Sequence, residues 1–330
     1  MCRACPRPIS SAHRKSTRFL HEDASLTGRA ALENGLVVAS HGRHFLVETP
    51  EGKLLICHPR GKKSHAVVGD RVLWQGTHDE GTIEKVEERR NLFYRQDEIR
   101  TKSFAANLDQ VLILIAATPE FSGSQLARAL IATEAERIPP LIALNKSDLV
   151  EPFERAWARL LPYQRMHYGV MPLSLRQSSQ VDRDHLLKHL EGKTTLVLGP
   201  SGAGKSTLIN LLAPGAVVVT GEISQALNSG KHTTTSTTLY WVDKARGTAL
   251  IDSPGFQEFG LNHIEPAQLA GCMPDMKAHM GNCKFYNCTH LHEPGCGVSA
   301  AVGPADDGIT PSRYRIYQEL FAELSQPQRF

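Results

Sequence analysis

The chain has 330 residues and a net charge of +3, and its 41% hydrophobic and 22% charged residues are ordinary for a soluble globular protein. This composition excludes a disordered chain, a collagen-like fibre and a membrane bundle, because no apolar run approaches the ~20 residues that a membrane-spanning helix needs. The length favours two or three domains. The seven scattered cysteines do not resemble a disulfide framework, which predicts a cytoplasmic protein with reduced thiols.

The N-terminal third divides into two parts. The first 18 residues carry five basic residues and no acidic one, so we expect residues 1–34 to form a basic flexible leader that suits a polyanionic partner. Residues 35–100 contain five short β-rich runs separated by turns, which predicts a small barrel of the OB-fold type. These runs are Leu36–Ala39, Phe45–Glu48, Lys53–Cys57, Asp70–Trp74 and Gly81–Val86. Basic residues on its loops would bind RNA phosphates, although a purely structural barrel can have the same pattern.

Residues 101–262 have the pattern of an α/β domain. Short apolar runs typical of strands covered on both faces alternate with helical patterns, which predicts a parallel sheet. The strands are Val111–Ala116, Leu141–Leu144, Val170–Leu173, Thr195–Leu198 and Thr248–Ile251, and the first helix covers Ser124–Arg137. Residues 263–330 are rich in Cys and His and then helical, which predicts a zinc-binding helical domain.

The strongest single motif is GPSGAGKST at residues 199–207, which fits the phosphate-loop pattern GxxxxGK[ST] between a strand and a helix. Its glycines let backbone N–H groups turn towards phosphate oxygens, and the helix that follows adds a partial positive charge. We expect Lys205 to bridge the β- and γ-phosphates and Ser206 to bind Mg²⁺. The predicted phosphate contacts are Gly199, Pro200, Ser201, Gly202, Ala203, Gly204, Lys205, Ser206 and Thr207.

A second motif indicates which base is bound. Asn145, Lys146, Ser147 and Asp148 form an NKxD sequence directly after a strand. The Asp148 carboxylate can accept hydrogen bonds from N1–H and N2–H₂ of guanine, a pair of donors that adenine lacks. The Lys146 stem would cover the base, and Asn145 would tie this loop to the phosphate loop. Ser174 follows the next strand, where a further loop would contact the base or form a plain turn.

Two further segments fit the phosphate end of a GTPase. Asp252 begins a DxxG motif, in which it would lie near Mg²⁺ and the N–H of Gly255 would face the γ-phosphate. The run GKHTTT at residues 230–235 supplies a threonine for the Mg²⁺ shell, and we favour Thr234 over Thr233 and Thr235. NKxD precedes the phosphate loop here, whereas it follows DxxG in the usual GTPase. This order predicts a circular permutation.

The residue after DxxG predicts slow intrinsic hydrolysis. A Ras-like enzyme has a glutamine there that orients the attacking water, but this chain has Phe256, which can neither donate nor accept a hydrogen bond. His232, beside the switch threonines, is the best local candidate for positioning water, although a surface loop histidine is an equal alternative. We therefore expect a partner to order this loop and raise the rate.

The C-terminal region contains Cys283, Cys288, His290 and Cys296 within 14 residues. Three thiolates and an imidazole fit a closed tetrahedral zinc site of the structural type, because a catalytic zinc needs an open position. Without metal so short and loop-rich a segment would be poorly ordered. His292 and Cys272 are alternative ligands.

The combination of motifs resembles the ribosome small subunit-dependent GTPase A family. The similarity covers about residues 36–320 and includes NKSD before GPSGAGKST, GKHTTT, DSPGF and the C-x₄-C-x-H-x₅-C knuckle. It implies an OB-fold, a circularly permuted GTPase domain and a zinc domain. The resemblance places guanine contacts on Asn145, Lys146 and Asp148, phosphate contacts on residues 199–207, zinc on the Cys₃His set and the switch histidine on His232.

The function that the resemblance implies is GTP hydrolysis to GDP and phosphate, stimulated by the small ribosomal subunit in its late maturation. We expect Mg²⁺ with GTP, one structural zinc ion, binding to rRNA largely through phosphates and shape, no membrane and a monomer. Alternatives are a non-catalytic GTP-switched RNA-binding module, an ATP-using P-loop enzyme, and a membrane-associated or stress GTPase without RNA. Lys205, Ser206, Asp252 and Gly255 argue against the first, and the NKSD sequence argues against the second.

Overall fold

The computed structural model describes residues 31–61, 66–76, 80–96, 101–177, 179–214, 236–253, 256, 259–304 and 308–326. Residues 32–330 form one compact unit. No helix within these described ranges has both the length and the apolar character that crossing a membrane requires.

The first five strands close into a barrel, as the sequence predicts. They are β1 (Glu33–His41), β2 (His44–Glu48), β3 (Leu54–Pro59), β4 (Arg71–Gly76) and β5 (Gly81–Val86). The strands pair in the order β1-β2-β3-β5-β4, and β1 also pairs with β4, which closes the barrel. All of these pairs are antiparallel except β3 with β5. Alternate residues, among them Val37, Val47 and Trp74, fill the interior, so the two-residue period of the sequence pattern is satisfied. The first strand begins at Glu33, inside the segment expected to be leader.

The GTPase part is a mixed sheet with helices on both faces. Its strands are β8 (Gln110–Ala116), β9 (Pro140–Asn145), β10 (Gly169–Pro172), β11 (Thr194–Leu198), β12 (Thr237–Asp243) and β13 (Thr248–Asp252). Its helices are α1 (Gly123–Ala135), α2 (Val150–Ala158), α3 (Leu161–Arg165), α4 (Ser179–Leu190) and α5 (Lys205–Leu212). The strand order is β10-β9-β8-β11-β13-β12, and every pair is parallel except β12 with β13. The carboxyl ends of the parallel strands therefore lie along one edge.

The barrel and the GTPase sheet are joined into a single 11-stranded sheet, which the sequence did not reveal. Strand β1 of the barrel pairs with β12, so Ser40 lies opposite Thr237. The nearly buried Glu48 carboxylate on β2 strengthens the junction: it accepts a hydrogen bond from the Trp241 indole at 2.7 Å and one from the Lys244 ammonium at 2.6 Å. Charge-assisted bonds of this kind are stronger than neutral ones, so the two parts are held by more than the sheet pairing.

A hairpin of β6 (Leu92–Gln96) and β7 (Thr101–Ala106) lies outside this sheet and is a second feature that the sequence did not indicate. Its buried rings Phe93 and Phe104 pack on Phe259, with centroids 5.7 and 5.8 Å away, and share the core of the GTPase part. The domain boundary expected after residue 100 thus falls between two strands that pair with each other.

The C-terminal region packs its helices on the GTPase part. They are α6 (Pro266–Leu269), continued by a 3₁₀ turn (Ala270–Cys272), α7 (Pro274–Met280), α8 (Gly297–Ala300) and α9 (Pro311–Leu324). The Arg313 guanidinium, buried on α9, makes two hydrogen bonds of 2.9 and 3.0 Å to Asp275 and lies 5.2 Å from the centre of the Tyr163 ring. Arg313 therefore connects α9 to both α7 and α3. Removing one partner of the buried ion pair would leave the other charge buried and unpaired, so the contact is costly to break.

Candidate nucleotide site and metal cluster

The phosphate loop connects β11 to α5, at the carboxyl edge of the parallel strands. Two of its glycines are required by the local geometry. A Cβ atom on Gly199 would lie 2.1 Å from the carbonyl oxygen of Leu114, so only glycine lets the loop approach β8 this closely. Gly204 precedes α5 with φ +109°, and a Cβ atom there would lie 2.5 Å from Nδ2 of Asn145. The sequence pattern and the backbone geometry therefore agree.

Asn145 joins the two halves of the site. Its side-chain amide donates to the carbonyl oxygen of Ala203 in the phosphate loop at 2.8 Å and accepts from the N–H of Leu175 at 3.2 Å. Asn145 is itself buried, so both ends of the amide are paired inside the protein. The link between the NKSD loop and the phosphate loop that the sequence predicts is present, and it extends to a third loop.

The rest of the NKSD loop is held by backbone bonds. Lys146 adopts φ +68°, an uncommon conformation for a residue other than glycine, and its ammonium donates to the carbonyl oxygen of Thr118. The N–H of Ser147 donates to the carbonyl oxygen of Leu173 at 2.9 Å, directly beyond β10. The loop is therefore built on the neighbouring strand.

Ser174 lies against the expected base-reading carboxylate. Its hydroxyl lies 2.8 Å from Oδ1 of Asp148, which fixes that carboxylate at the mouth of the site. The N–H of Ser174 in turn donates to Asp182 at 2.6 Å, and Asp182 is nearly buried in the first turn of α4. The sequence offers no signal for Asp182, because a single aspartate in a helix first turn is common.

Two residues of opposite charge, Lys205 and Asp252, affect each other's pKa at the phosphate end. Burial lowers the pKa of the Lys205 ammonium, and the charge of Asp252 opposes this shift. Burial likewise raises the pKa of Asp252 at the end of β13, against the opposing effects of Lys205 and the N–H of Ser253. The Lys205 ammonium also donates to the carbonyl oxygens of Gly199 and Pro200, at 2.6 and 3.2 Å. A cation and a carboxylate thus interact electrostatically beside the phosphate loop, and this combination is compatible with nucleotide phosphates and Mg²⁺.

Part of the expected switch machinery falls on residues outside the described ranges, namely His232, Thr233, Thr234, Thr235 and Gly255. The flanking residues are described. Thr237 at the start of β12 lies 3.3 Å, oxygen to oxygen, from Ser253 of the DxxG sequence, and both are buried. Phe256 is only 4% exposed and belongs to the main core. It occupies the position after DxxG as a packing residue.

The four predicted metal ligands come together. One ligand atom from each of Cys283, Cys288, His290 and Cys296 lies within 4.8 Å of all the others. Sγ of Cys283 is 4.0 Å from Sγ of Cys296, and Nδ1 of His290 is 3.4 and 3.5 Å from these two sulfur atoms. Such a set can hold a metal ion. The alternatives His292 and Cys272 are not part of the group that the described residues form.

Neighbouring side chains fix the loop that carries His290. The Tyr314 and Tyr317 hydroxyls on α9 donate to the carbonyl oxygens of His290 and Thr289, each at 2.7 Å. The Glu293 carboxylate accepts from the N–H and hydroxyl of Thr289, and these hydrogen bonds lower the pKa of Glu293. The sequence did not single out any of these three residues, whose roles depend on contacts across the region.

The family is decided by comparison with known proteins. The model of the RsgA GTPase family matches residues 86–262. A protein from Variovorax paradoxus (strain S110), called small ribosomal subunit biogenesis GTPase RsgA, is 76% identical over 302 residues, which are 91% of this chain and 95% of that protein. The chain belongs to the RsgA GTPase family. It is therefore a GTP hydrolase, and the resemblance drawn from the motifs is confirmed.

Other RsgA relatives agree in both sequence and structure. The protein of the same name from Paraburkholderia phytofirmans (strain DSM 17436 / LMG 22146 / PsJN) is 51% identical, over 88% of this chain and 93% of its own length. The crystal structure of YjeQ from Thermotoga maritima superposes with a TM-score of 0.68 at 30% identity, covering 89% of this chain and 99% of that one. YloQ, described as a circularly permuted GTPase, gives a TM-score of 0.66 at 28% identity, covering 92% of this chain and 99% of its own. The expected fold of barrel and permuted GTPase is confirmed.

The close approach of Gly204 to Asn145 gives the first prediction. Gly204→Ala should weaken GTP binding by at least about tenfold, because the new methyl group pushes Asn145 from the phosphate loop and φ +109° is strained for alanine. Isothermal titration of GTP measures the loss. Gly202→Ala is the matched control: it also has a positive φ, but its Cβ would meet Pro119 at an ordinary 3.5 Å. Equal losses for the two variants would contradict the role given to Asn145.

Proposed function

We propose that this GTPase acts in late maturation of the small ribosomal subunit, which stimulates its hydrolysis of GTP to GDP and phosphate. The observation that carries the GTP-binding part of the proposal is the Asn145 link, because it joins the expected guanine-reading loop to the phosphate loop. Relatives that match about nine-tenths of the chain are named for biogenesis of this subunit. We place the protein in the cytoplasm as a monomer without membrane attachment.

In the proposed site, Asp148 reads guanine. Its carboxylate accepts hydrogen bonds from N1–H and N2–H₂ of the base, while the Ser174 hydroxyl donates to its Oδ1. Lys146 covers the base with its alkyl stem. Because Asn145 fixes this loop to Ala203, the correct base positions the phosphates along residues 199–207.

At the phosphate end, Lys205 contacts the β- and γ-phosphates, and the N–H of Gly255 faces the γ-phosphate. Ser206 and Thr234 would hold Mg²⁺, with Asp252 close by. When bound, this ion neutralises charge that develops on the phosphate oxygens. Lys205 and Asp252, which already interact in this structure, are the described charges that suit the role.

We further propose that hydrolysis depends on docking to the subunit. Phe256 is buried in the core and has no polar group to orient water, so another residue must do so. His232 is the candidate from the sequence. Docking of the barrel and the metal-bearing region on rRNA would bring this histidine to the attacking water, and hydrolysis would release the protein. Arg71 at the start of β4 is an exposed cation on the barrel that can contact an RNA phosphate.

The metal cluster is proposed to bind one structural zinc ion. Zinc bound at ~2.3 Å from sulfur in a tetrahedral site separates two thiolates by about 3.8 Å, close to the 4.0 Å between Cys283 and Cys296. Three cysteines and one histidine are a donor set that zinc prefers. Because four protein ligands complete the tetrahedron, the role is to fix the fold of the region rather than to catalyse a reaction.

Turnover tests the proposal. GTP hydrolysis by the purified chain should be slow alone and rise strongly with purified small ribosomal subunits, whereas ATP should not be hydrolysed in either case. His232→Ala should lower the stimulated rate by about 10²-fold, the contribution typical of a group that assists proton transfer or positions water. His185→Ala, an exposed histidine on α4, is the control and should hydrolyse GTP normally. A fast rate without subunits would contradict partner activation.

Metal content tests the zinc assignment. Mass spectrometry of the native chain should find one zinc ion per molecule, and Cys288→Ser should lose it with a lower melting temperature of the C-terminal region. Cys272→Ser removes a half-buried thiol outside the cluster and should keep the metal. Retention of zinc by Cys288→Ser, or its loss from Cys272→Ser, would show that the ligand set is wrong.

A further inference from the structure

Two neighbouring aromatic side chains stand out on the surface of the C-terminal region. Phe285 is 42% exposed and Tyr286 is completely exposed. Among the described residues, the other exposed large hydrophobic side chains are all leucine or valine, so these two are the aromatic members of that set. They lie in the four-residue segment Lys284–Asn287, every residue of which is exposed; we call it the aromatic tip.

The aromatic tip is anchored at both ends. Cys283 and Cys288, the residues on either side of it, belong to the metal cluster. The N–H of Lys284 donates to the carbonyl oxygen of Gly295 at 3.0 Å, and Gly295 (φ +74°) is so close that a Cβ atom there would lie 3.2 Å from Cβ of Lys284. A short loop fixed in this way loses little conformational entropy when it binds a partner.

The sequence around the aromatic tip is rich in basic residues. Residues 276–292 contain two lysines, three histidines and no acidic residue. Lys277 and Lys284 are exposed, and the Lys284 ammonium lies 5.6 Å from the centre of the Phe285 ring. The nearest acidic residue in sequence, Glu293, is engaged by Thr289 and by the N–H groups of Leu291 and His292. A cation beside an exposed ring suits a partner with both negative charge and flat aromatic faces.

We propose that the aromatic tip is an RNA contact, in which Tyr286 and Phe285 stack on unpaired bases and Lys284 binds an adjacent phosphate. Sequence-tolerant stacking on aromatic side chains next to cations is a common mode of binding unpaired nucleotides. The inference rests on the proposed function, since it assumes that the partner is structured RNA of the small subunit. It names the residues through which the metal-bearing region would contact that RNA.

Equilibrium binding of the full-length chain to purified small ribosomal subunits, with a non-hydrolysable GTP analogue, tests this contact. Tyr286→Ala should weaken binding about five- to a hundredfold, the range expected for loss of one stacked base. Tyr286→Phe keeps the ring and should bind as the native chain does. Val150→Ala, which trims a 63% exposed side chain on α2, is the control for lost apolar surface. Neither zinc content nor basal GTP hydrolysis should change in these variants.

Salt dependence separates stacking from charge. Lys284→Gln should reduce the slope of log affinity against log salt concentration by the contribution of about one phosphate contact. Tyr286→Ala should lower the affinity without changing the slope. In Tyr286→Trp, the fluorescence of the added tryptophan is obtained by subtracting the signal of the native chain. This fluorescence should be quenched on binding if the ring stacks on a base. Loss of affinity in Tyr286→Ala with no quenching in Tyr286→Trp would indicate a protein contact and overturn the proposal.

The outcomes for the two levels of inference are distinct. If the native chain binds subunits and Tyr286→Ala binds equally well, the aromatic tip is not an RNA contact and the proposed function stands. If the native chain itself does not bind subunits, the proposed function fails and the RNA contact that rests on it fails as well.

Discussion

The amide of Asn145 is the interaction on which the nucleotide site depends. One side chain serves three loops: it ends β9, donates to the phosphate loop after β11 and accepts from the loop after β10. Loss of this amide would leave buried backbone groups unpaired, at a cost of about 1–3 kcal/mol each, and would also uncouple base recognition from phosphate binding. The bond requires only that two parallel strands end at the same edge. It is therefore unaffected by the reversed order of the motifs along the chain.

The same edge explains how the other parts are attached. Strand β13 ends at Asp252, whose charge acts on Lys205 of the phosphate loop, and its neighbour β12 pairs on the other side with β1 of the barrel. Thr237, at the start of β12, therefore lies where the barrel pairs with the GTPase sheet. Its hydroxyl also contacts the hydroxyl of Ser253 in the DxxG sequence. On the opposite side of the GTPase core, the buried pair of Arg313 and Asp275 holds the metal-bearing region against α3.

The sequence predicted the features that depend on local geometry. The five barrel strands follow from alternation and turn residues, and Gly199 and Gly204 follow from a motif that only glycine can form at those points. The Cys₃His cluster follows from spacing alone. The hairpin of β6 and β7, the pairing of β1 with β12 and the roles of Asp182, Tyr314 and Tyr317 were missed. The hairpin, the strand pairing and the roles of the two tyrosines depend on tertiary contacts that periodicity does not encode. Asp182 was missed because an aspartate in the first turn of a helix is a common local pattern.

The most direct test of the guanine site is the nucleotide preference of Asp148→Asn. A carboxylate accepts from N1–H and N2–H₂ of guanine, whereas an amide can donate to the 2-oxo group that xanthine has in place of the amino group. The variant should lose about 10²-fold or more in affinity for GTP and gain affinity for XTP, while Asp184→Asn, exposed on α4, should keep the native preference. Retention of tight GTP binding by Asp148→Asn, with no gain for XTP, would contradict the assignment of this loop as the guanine reader.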